Sequence, residues 1–162
     1  MPNTTPPDRR TLHFDALDQI VADAEAITSQ PHHHVGNWTP AQIIEHVTIA
    51  MRIGNHGVDW TVPLPIRLFG WFMKKTGATH KPIKPGFNPP TNIAKNFAPP
   101  EDITLDTALQ NLRDEVAYAN EHGMHHPSPL FGKLTPQQWI DLHCRHAELH
   151  FSFIVPQITA AE

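Results

Sequence analysis

Trp139-Ile140-Asp141-Leu142-His143-Cys144-Arg145-His146-Ala147-Glu148-Leu149-His150-Phe151-Ser152-Phe153-Ile154 is the stretch on which the fold is read. At about 100° per residue, Leu142, Leu149, Phe153, Trp139, Ile154, Ala147 and Ile140 trace one broad apolar arc. Asp141, Arg145, Glu148 and Ser152 fall on the opposite side. The pattern is that of an amphipathic helix with one anomaly. His143, His146 and His150 land within a wedge of about 60° at the centre of the apolar arc, where Leu or Ile ordinarily sits. An unpaired buried imidazole costs on the order of 1–3 kcal/mol. Three along one stripe therefore require a compensating interaction, and a bound metal ion is the strongest candidate.

Three more helices precede this one. The first is expected from about Phe14 to Thr28, where Phe14, Leu17, Ile20, Val21, Ala24 and Ile27 recur at helical spacing. Gln30-Pro31 and His32-His33-His34 end it. The second opens on Thr39 as cap, Pro40 in the first turn and Gln42 at the reciprocal position of a capping box. It runs to about Asn55, with Ile43, Val47, Ala50 and Gly54 as one ridge and His46, Ile49 and Ile53 beside it. The third spans about Leu105 to Glu121 behind Thr104, with Leu105, Leu109, Leu112 and Val116 as its inward seam and Gly123 as its stop. Thr135-Pro136-Gln137-Gln138 forms a second capping box ahead of the histidine helix. No stretch shows clear period-two alternation, so the fold class expected is all-α: a four-helix bundle with one long crossover.

That crossover, from Gly57 to Pro100, is rich in proline. It contains Ile66-Arg67-Leu68-Phe69-Gly70-Trp71-Phe72-Met73-Lys74-Lys75, which fits a short helix. The plain reading of this aromatic segment is a flap over the core; the alternatives are a membrane-surface or dimer contact.

A length of 162 residues suits one domain with one core. The chain opens on Met1-Pro2-Asn3-Thr4-Thr5-Pro6-Pro7-Asp8-Arg9-Arg10, which has no apolar centre. Residues 1–9 are therefore expected as a disordered lead-in, 10–156 as a single helical domain and 157–162 as a tail. With 40% hydrophobic residues and no long apolar run, a membrane span is excluded and no membrane partner is expected. A net charge of −4 without a basic run argues against nucleic acid. The one cysteine, Cys144, cannot close an internal disulfide, which points to a reducing cytoplasm.

His146 and His150 stand four residues apart, so both rings lie on one helix face and can offer two nitrogens to one ion. A third ligand is expected from a facing helix, and His46 is the histidine within the second helix's apolar arc. His46, His146 and His150 would make a three-nitrogen site with open positions, suited to zinc or nickel. His143, one turn earlier, is a candidate fourth ligand or proton shuttle. Glu45 and Glu148 adjoin these ligands in sequence but point away from them, and each reads as a solvated surface charge. Cys144 reads as a small packing residue. The clusters His32-His33-His34 and His122, His125, His126 read as loop histidines. The competing account is a hydrogen-bonded polar core with no metal.

Asn37-Trp38-Thr39-Pro40-Ala41-Gln42-Ile43-Ile44-Glu45-His46 resembles the second helix of the DinB/YfiT-like superfamily, in which a tryptophan-led cap precedes a metal-binding histidine. His146-Ala147-Glu148-Leu149-His150 resembles its last helix. Arg10-Thr11-Leu12-His13-Phe14, Pro90-Thr91 and Phe131-Gly132-Lys133-Leu134-Thr135-Pro136-Gln137-Gln138-Trp139 are similar to one uncharacterised branch of it. The resemblance implies a four-helix bundle, commonly a homodimer, with a three-histidine site for zinc, nickel or a similar ion. It also implies a small-molecule substrate, since some members act with a low-molecular-weight thiol and others resemble hydrolases. Where that branch often has a histidine directly before the last ligand, this chain has Leu149. The function expected is thus a metal-dependent transferase or hydrolase, and the alternative is a non-catalytic metal-binding or stress-response module.

Overall fold

The computed structural model describes residues 9–86 and 91–157; residues 1–8, 87–90 and 158–162 lie outside it, and with them most of the expected lead-in and tail and Pro90. Among the described residues the order is α1 Leu17–Thr28, β1 His32–His34, α2 Pro40–His56, α3 Leu64–Lys75, α4 Thr91–Ala94, a 3₁₀ turn Lys95–Phe97, α5 Leu105–His122, α6 Pro136–Phe151 and β2 Ile154–Pro156. The chain is predominantly helical with a small two-stranded sheet.

The helices start where their caps place them. Thr39 Oγ1 accepts from the Gln42 amide at 3.3 Å, and Gln42 Oε1 accepts from the Thr39 amide at 3.0 Å. Thr135 and Gln138 repeat this reciprocal pair at 3.2 and 3.0 Å, and Thr104 accepts from Thr107 at 3.2 Å. Each satisfies amide donors that a helix start leaves bare. Gly123 ends α5 at φ 74°, a left-handed conformation that glycine adopts without a Cβ penalty.

Helix α2 is the centre of the molecule. It packs on α5 on one side and α6 on the other, while α1 packs on both α5 and α6. Its ridge residues Ile43, Ile44, Val47, Met51 and Ile53 are buried, with Ile20, Leu112, Phe151 and Ile154 among the fully enclosed side chains around them. Each such residue contributes roughly 1.5–3 kcal/mol by leaving water.

Several expectations need correction. The histidine triplet is not a loop: it is β1, paired antiparallel with β2 in the register His32↔Pro156, His33↔Val155, His34↔Ile154. So short a ribbon has no alternation to reveal it, with His33 and His34 exposed and Ile154 buried; backbone bonds from Val35 to Phe153 (2.9 Å) and Gln157 to Pro31 (2.9 Å) extend it. The seam of α5 is Ala108, Leu112, Val116 and Ala119, whereas Leu105 and Leu109 are only partly buried.

The far side of α6 is not open to water either. Residues 9–14 lie across it. Arg10 makes a two-pronged ion pair with Asp23 (both 2.8 Å) and donates to the carbonyls of Phe151 and Ile154. Arg145 pairs with Glu148 at 2.7 Å and donates to the Phe14 carbonyl, while Glu148 accepts from the Phe14 amide at 2.6 Å. Glu148 is therefore a largely covered anchor for the incoming chain, not a solvated charge. Arg9, the last residue of the expected lead-in, donates to Ser152 Oγ and the Leu149 carbonyl.

Helix α3 is no flap over the core. Gly70 is its sole buried residue, with Ile66 and Met73 half-buried on the same side. A Cβ at Gly70 would meet the Leu130 carbonyl oxygen at 2.1 Å, so the helix backbone rests directly on the loop before α6. Its other face, Leu64, Leu68, Phe69, Trp71 and Phe72, is exposed. Among the described residues, no helix is long and apolar enough to cross a membrane.

Candidate metal centre

Helices α2 and α6 lie side by side and bring three of the expected histidines together. His46, His146 and His150 each offer a ring nitrogen, and these atoms lie within 4.8 Å of one another. The ring centroids form a near-equilateral triangle of 4.4, 4.6 and 5.0 Å. One turn of α6 separates His146 from His150, as their spacing requires, and His46 faces them from the second turn of α2.

One ring is held in a defined tautomer. His46 Nδ1 donates to the Phe97 carbonyl at 2.8 Å; a carbonyl can only accept, so the proton sits on Nδ1 and Nε2 is left as a lone pair. This is the outer-sphere contact that orients a ligating histidine. Trp38 stands over the group, its ring 4.7 Å from His46 and 6.1 Å from His150. It leads into the Thr39 cap, so the capping box that starts α2 also sets the wall of the site.

The electrostatics favour neutral rings. Burial lowers the pKa of His46, against a smaller upward pull from the Phe97 carbonyl. Burial, then the neighbouring imidazoles, hold His146 well below the ordinary range. His150 is pushed down to about 3 by burial, with His46 and the Arg9 cation adding to it. All three rings are neutral near pH 7 and offer nitrogen lone pairs, the form a metal requires. Among the described residues no hydrogen bond joins the three rings, no carboxylate pairs with them, and His146 Nδ1 is buried without a partner. A hydrogen-bonded polar core would pair the His146 nitrogen, which among the described residues has no partner.

His143 is not part of the triangle. The most deeply buried row of α6 is Trp139, His143, Ala147 and Phe151, four residues apart, and His146 and His150 flank it with part of their surface exposed. His143 stacks flat on Trp139, with centroids 5.2 Å apart and an interplanar angle of 7°. Neither of its nitrogens has a partner, and burial lowers its pKa to about 4. Cys144 is buried and unreactive, its thiol pushed up to about 12 by burial.

Glu45 was expected in solvent and is instead 3% exposed. It points away from the histidines, as the helical wheel requires, but that direction faces α5. There it accepts from Arg52 and Asn111, both at 2.8 Å. Arg52 also donates to Glu115 at 3.0 Å, and Glu115 accepts from Asn55 (2.8 Å) and His56 (2.9 Å). Two contributors to the histidine site were given no place in it from sequence, though the resemblance quotes Trp38 as leading the cap. Trp38 carried a signal, being an aromatic residue just ahead of a cap. The Phe97 carbonyl carried none, because a backbone group has no signature in residue type.

No curated protein and no solved structure matches this chain. A family model matches residues 7–157, a span that takes in both the second helix with His46 and the last helix with His146 and His150, and the chain therefore belongs to the family described as "Protein of unknown function (DUF1569)".

Proposed function

We propose that this chain is a divalent-metal protein, a four-helix bundle of the DinB/YfiT-like kind, whose ion is held by His46, His146 and His150. The observation that carries the reading is the carboxylate-free triangle of neutral imidazoles with unengaged nitrogens. Three neutral nitrogen ligands suit zinc or nickel, and three protein ligands leave further coordination positions to water or substrate. A closed structural site would need a fourth protein ligand, and His143, the nearest candidate by sequence, lies outside the group of three and against Trp139. We therefore favour a reactive centre over a purely structural one.

An ion bound there would lower the pKa of water or a substrate thiol and make a nucleophile near neutral pH. The chain's own residues set the conditions. The Phe97 carbonyl fixes the His46 tautomer, and Trp38 covers one side of the group. Arg9, at the C-terminal end of α6, lowers the His150 pKa by its charge and so helps keep that ring neutral. Glu45 and Glu148 are committed to Arg52 and Arg145 and supply no general base. The reaction class is transfer to or from a low-molecular-weight thiol, or hydrolysis of a small ester or amide.

The test is a screen of small thiols and activated esters with zinc- or nickel-loaded protein against the His150→Ala variant. Turnover by the loaded protein that falls at least about a hundredfold in the variant supports an enzyme. Stoichiometric metal with no turnover in any class would assign the non-catalytic reading instead.

A further inference from the structure

The face of α3 that turns away from the protein combines two properties that rarely occur together. Leu64, Leu68 and Phe72, spaced by four, form a ridge along the helix, and Phe69 and Trp71 widen it; they are 64, 59, 58, 60 and 49% exposed. A ridge of this kind normally lies against another surface. Within its own stretch of sequence the charge is of one sign, and a carboxylate that reaches this stretch, Asp141 of α6, pairs with His80. Between Trp60 and Pro100 the sequence holds Arg67, Lys74, Lys75, Lys81, Lys84 and Lys95, half of the chain's twelve Lys and Arg, and not one Asp or Glu. This is a local reversal in a protein whose net charge is −4.

The cations are placed around the apolar ridge. Lys75 lies with its ammonium 3.9 Å over the Trp71 ring, an arrangement in which a long stem runs beside apolar surface and the charge stays at its edge. Lys81 donates to the Thr76 carbonyl at 2.7 Å and Lys74 to the Lys133 carbonyl at 2.9 Å. Both charges are thereby gathered at the C-terminal end of the helix, while Arg67 is exposed near its start. The helix itself is fixed to the body through Gly70 on the Leu130 carbonyl, so the ridge is presented in one orientation.

We propose that α3 is an in-plane membrane-docking helix, which inserts Leu64, Leu68, Phe69, Trp71 and Phe72 at the headgroup boundary of an anionic bilayer while Arg67, Lys74, Lys75 and Lys81 contact lipid phosphates. An amphipathic helix with aromatic and leucine residues on one side and Lys and Arg beside them has the composition of such elements. Charge decides against the other occupant of an apolar face, a second copy of the chain. Two α3 faces brought together would oppose cationic segments that carry no carboxylate of their own, whereas an anionic surface neutralises them. The earlier expectation of no membrane partner rested on the lack of a spanning segment, which a helix lying in the surface does not need.

The experiment is co-sedimentation of the full chain with vesicles of phosphatidylcholine containing about one third phosphatidylserine, and with vesicles of phosphatidylcholine alone. The protein is expected to pellet with the first and not the second, with binding weakened at raised ionic strength. The exposed pair Leu68→Asp with Phe72→Asp should reduce binding at least about tenfold without changing the thermal midpoint, and Lys75→Glu with Lys81→Glu should do the same. No binding to anionic vesicles would overturn the proposal. So would a concentration-dependent dimer in sedimentation velocity that Leu68→Asp abolishes, because a second copy would then cover the ridge.

Discussion

Helix α2 carries a buried polar cluster on each of two sides, and the two are built on opposite terms. Towards α5, Glu45, Arg52, Asn55, His56, Asn111 and Glu115 form a network in which both carboxylates are met by donors of this chain. Towards α6, His46, His146 and His150 stand together with no carboxylate, no mutual hydrogen bond and one buried nitrogen without a partner. In the first cluster every carboxylate is met within the protein, and the one atom left without a partner is an amide oxygen, Asn55 Oδ1. The second is a set of acceptors lacking a common donor, which is the condition a cation satisfies. The lesson is that burial alone does not mark a functional group; Glu45 is more buried than His146, yet all its chemistry is already used.

The sharpest way to break this contrast acts on the closed side. Replacing Glu115 with Ala takes the carboxylate from Arg52, Asn55 and His56, while Arg52 keeps Glu45 and Asn55 keeps the residue-115 carbonyl, and should cost about 1–2 kcal/mol in urea unfolding. Metal binding should be unchanged in that variant. A loss of metal at Glu115→Ala would mean that the two clusters are one system.

Acid acts on the open side. The histidine pKa values in the folded protein are lowered, to about 3 for His150 and about 4 for His143, against about 6.5 in the unfolded chain. Between these limits the unfolded chain binds more protons than the folded one. The stability these neutral rings confer is thus fully present above about pH 6.5 and is lost as pH falls towards 4. Urea midpoints measured from pH 7 to 4.5 should decline, and bound metal should oppose the decline until the rings protonate. A midpoint that rises on acidification would contradict neutral burial of these rings.

The smallest effect separates His143 from its neighbours on α6. With both nitrogens buried and unpartnered, it should be replaceable by Phe, which keeps the flat stack on Trp139, with a gain of about 1 kcal/mol and no change in metal content. The pH decline should also become shallower. A loss of metal in His143→Phe would restore it as a ligand.

Much of this was legible in the residues, for physical reasons that can be named. Thr39 with Gln42, and Thr135 with Gln138, announce helix starts because capping chemistry is local. The pairing of His146 with His150 follows from a four-residue spacing, and His46 from its place on a facing apolar arc. The wheel was right that Glu45 and Glu148 point away from the histidines, but a wheel gives direction without saying what lies there. α5 and residues 9–14 occupy those directions and turn supposed surface charges into anchors paired with Arg52 and Arg145. His143 was grouped with the ligands because it shares their wedge. Only packing shows that the fully enclosed row of α6 runs through His143 while His146 and His150 flank it. The ribbon of His32–His34 with Ile154–Pro156 joins segments far apart in sequence, and no local pattern foretells such a pairing.

Metal content measured on protein purified without a metal-affinity column is the most direct trial of the histidine triangle. After exposure to zinc or nickel and removal of free ion, the wild-type chain should retain about one equivalent. His33→Ala should retain the same amount, while His46→Ala, His146→Ala and His150→Ala should each retain almost none. An ion still held by His150→Ala, or none held by the wild type, would contradict the account.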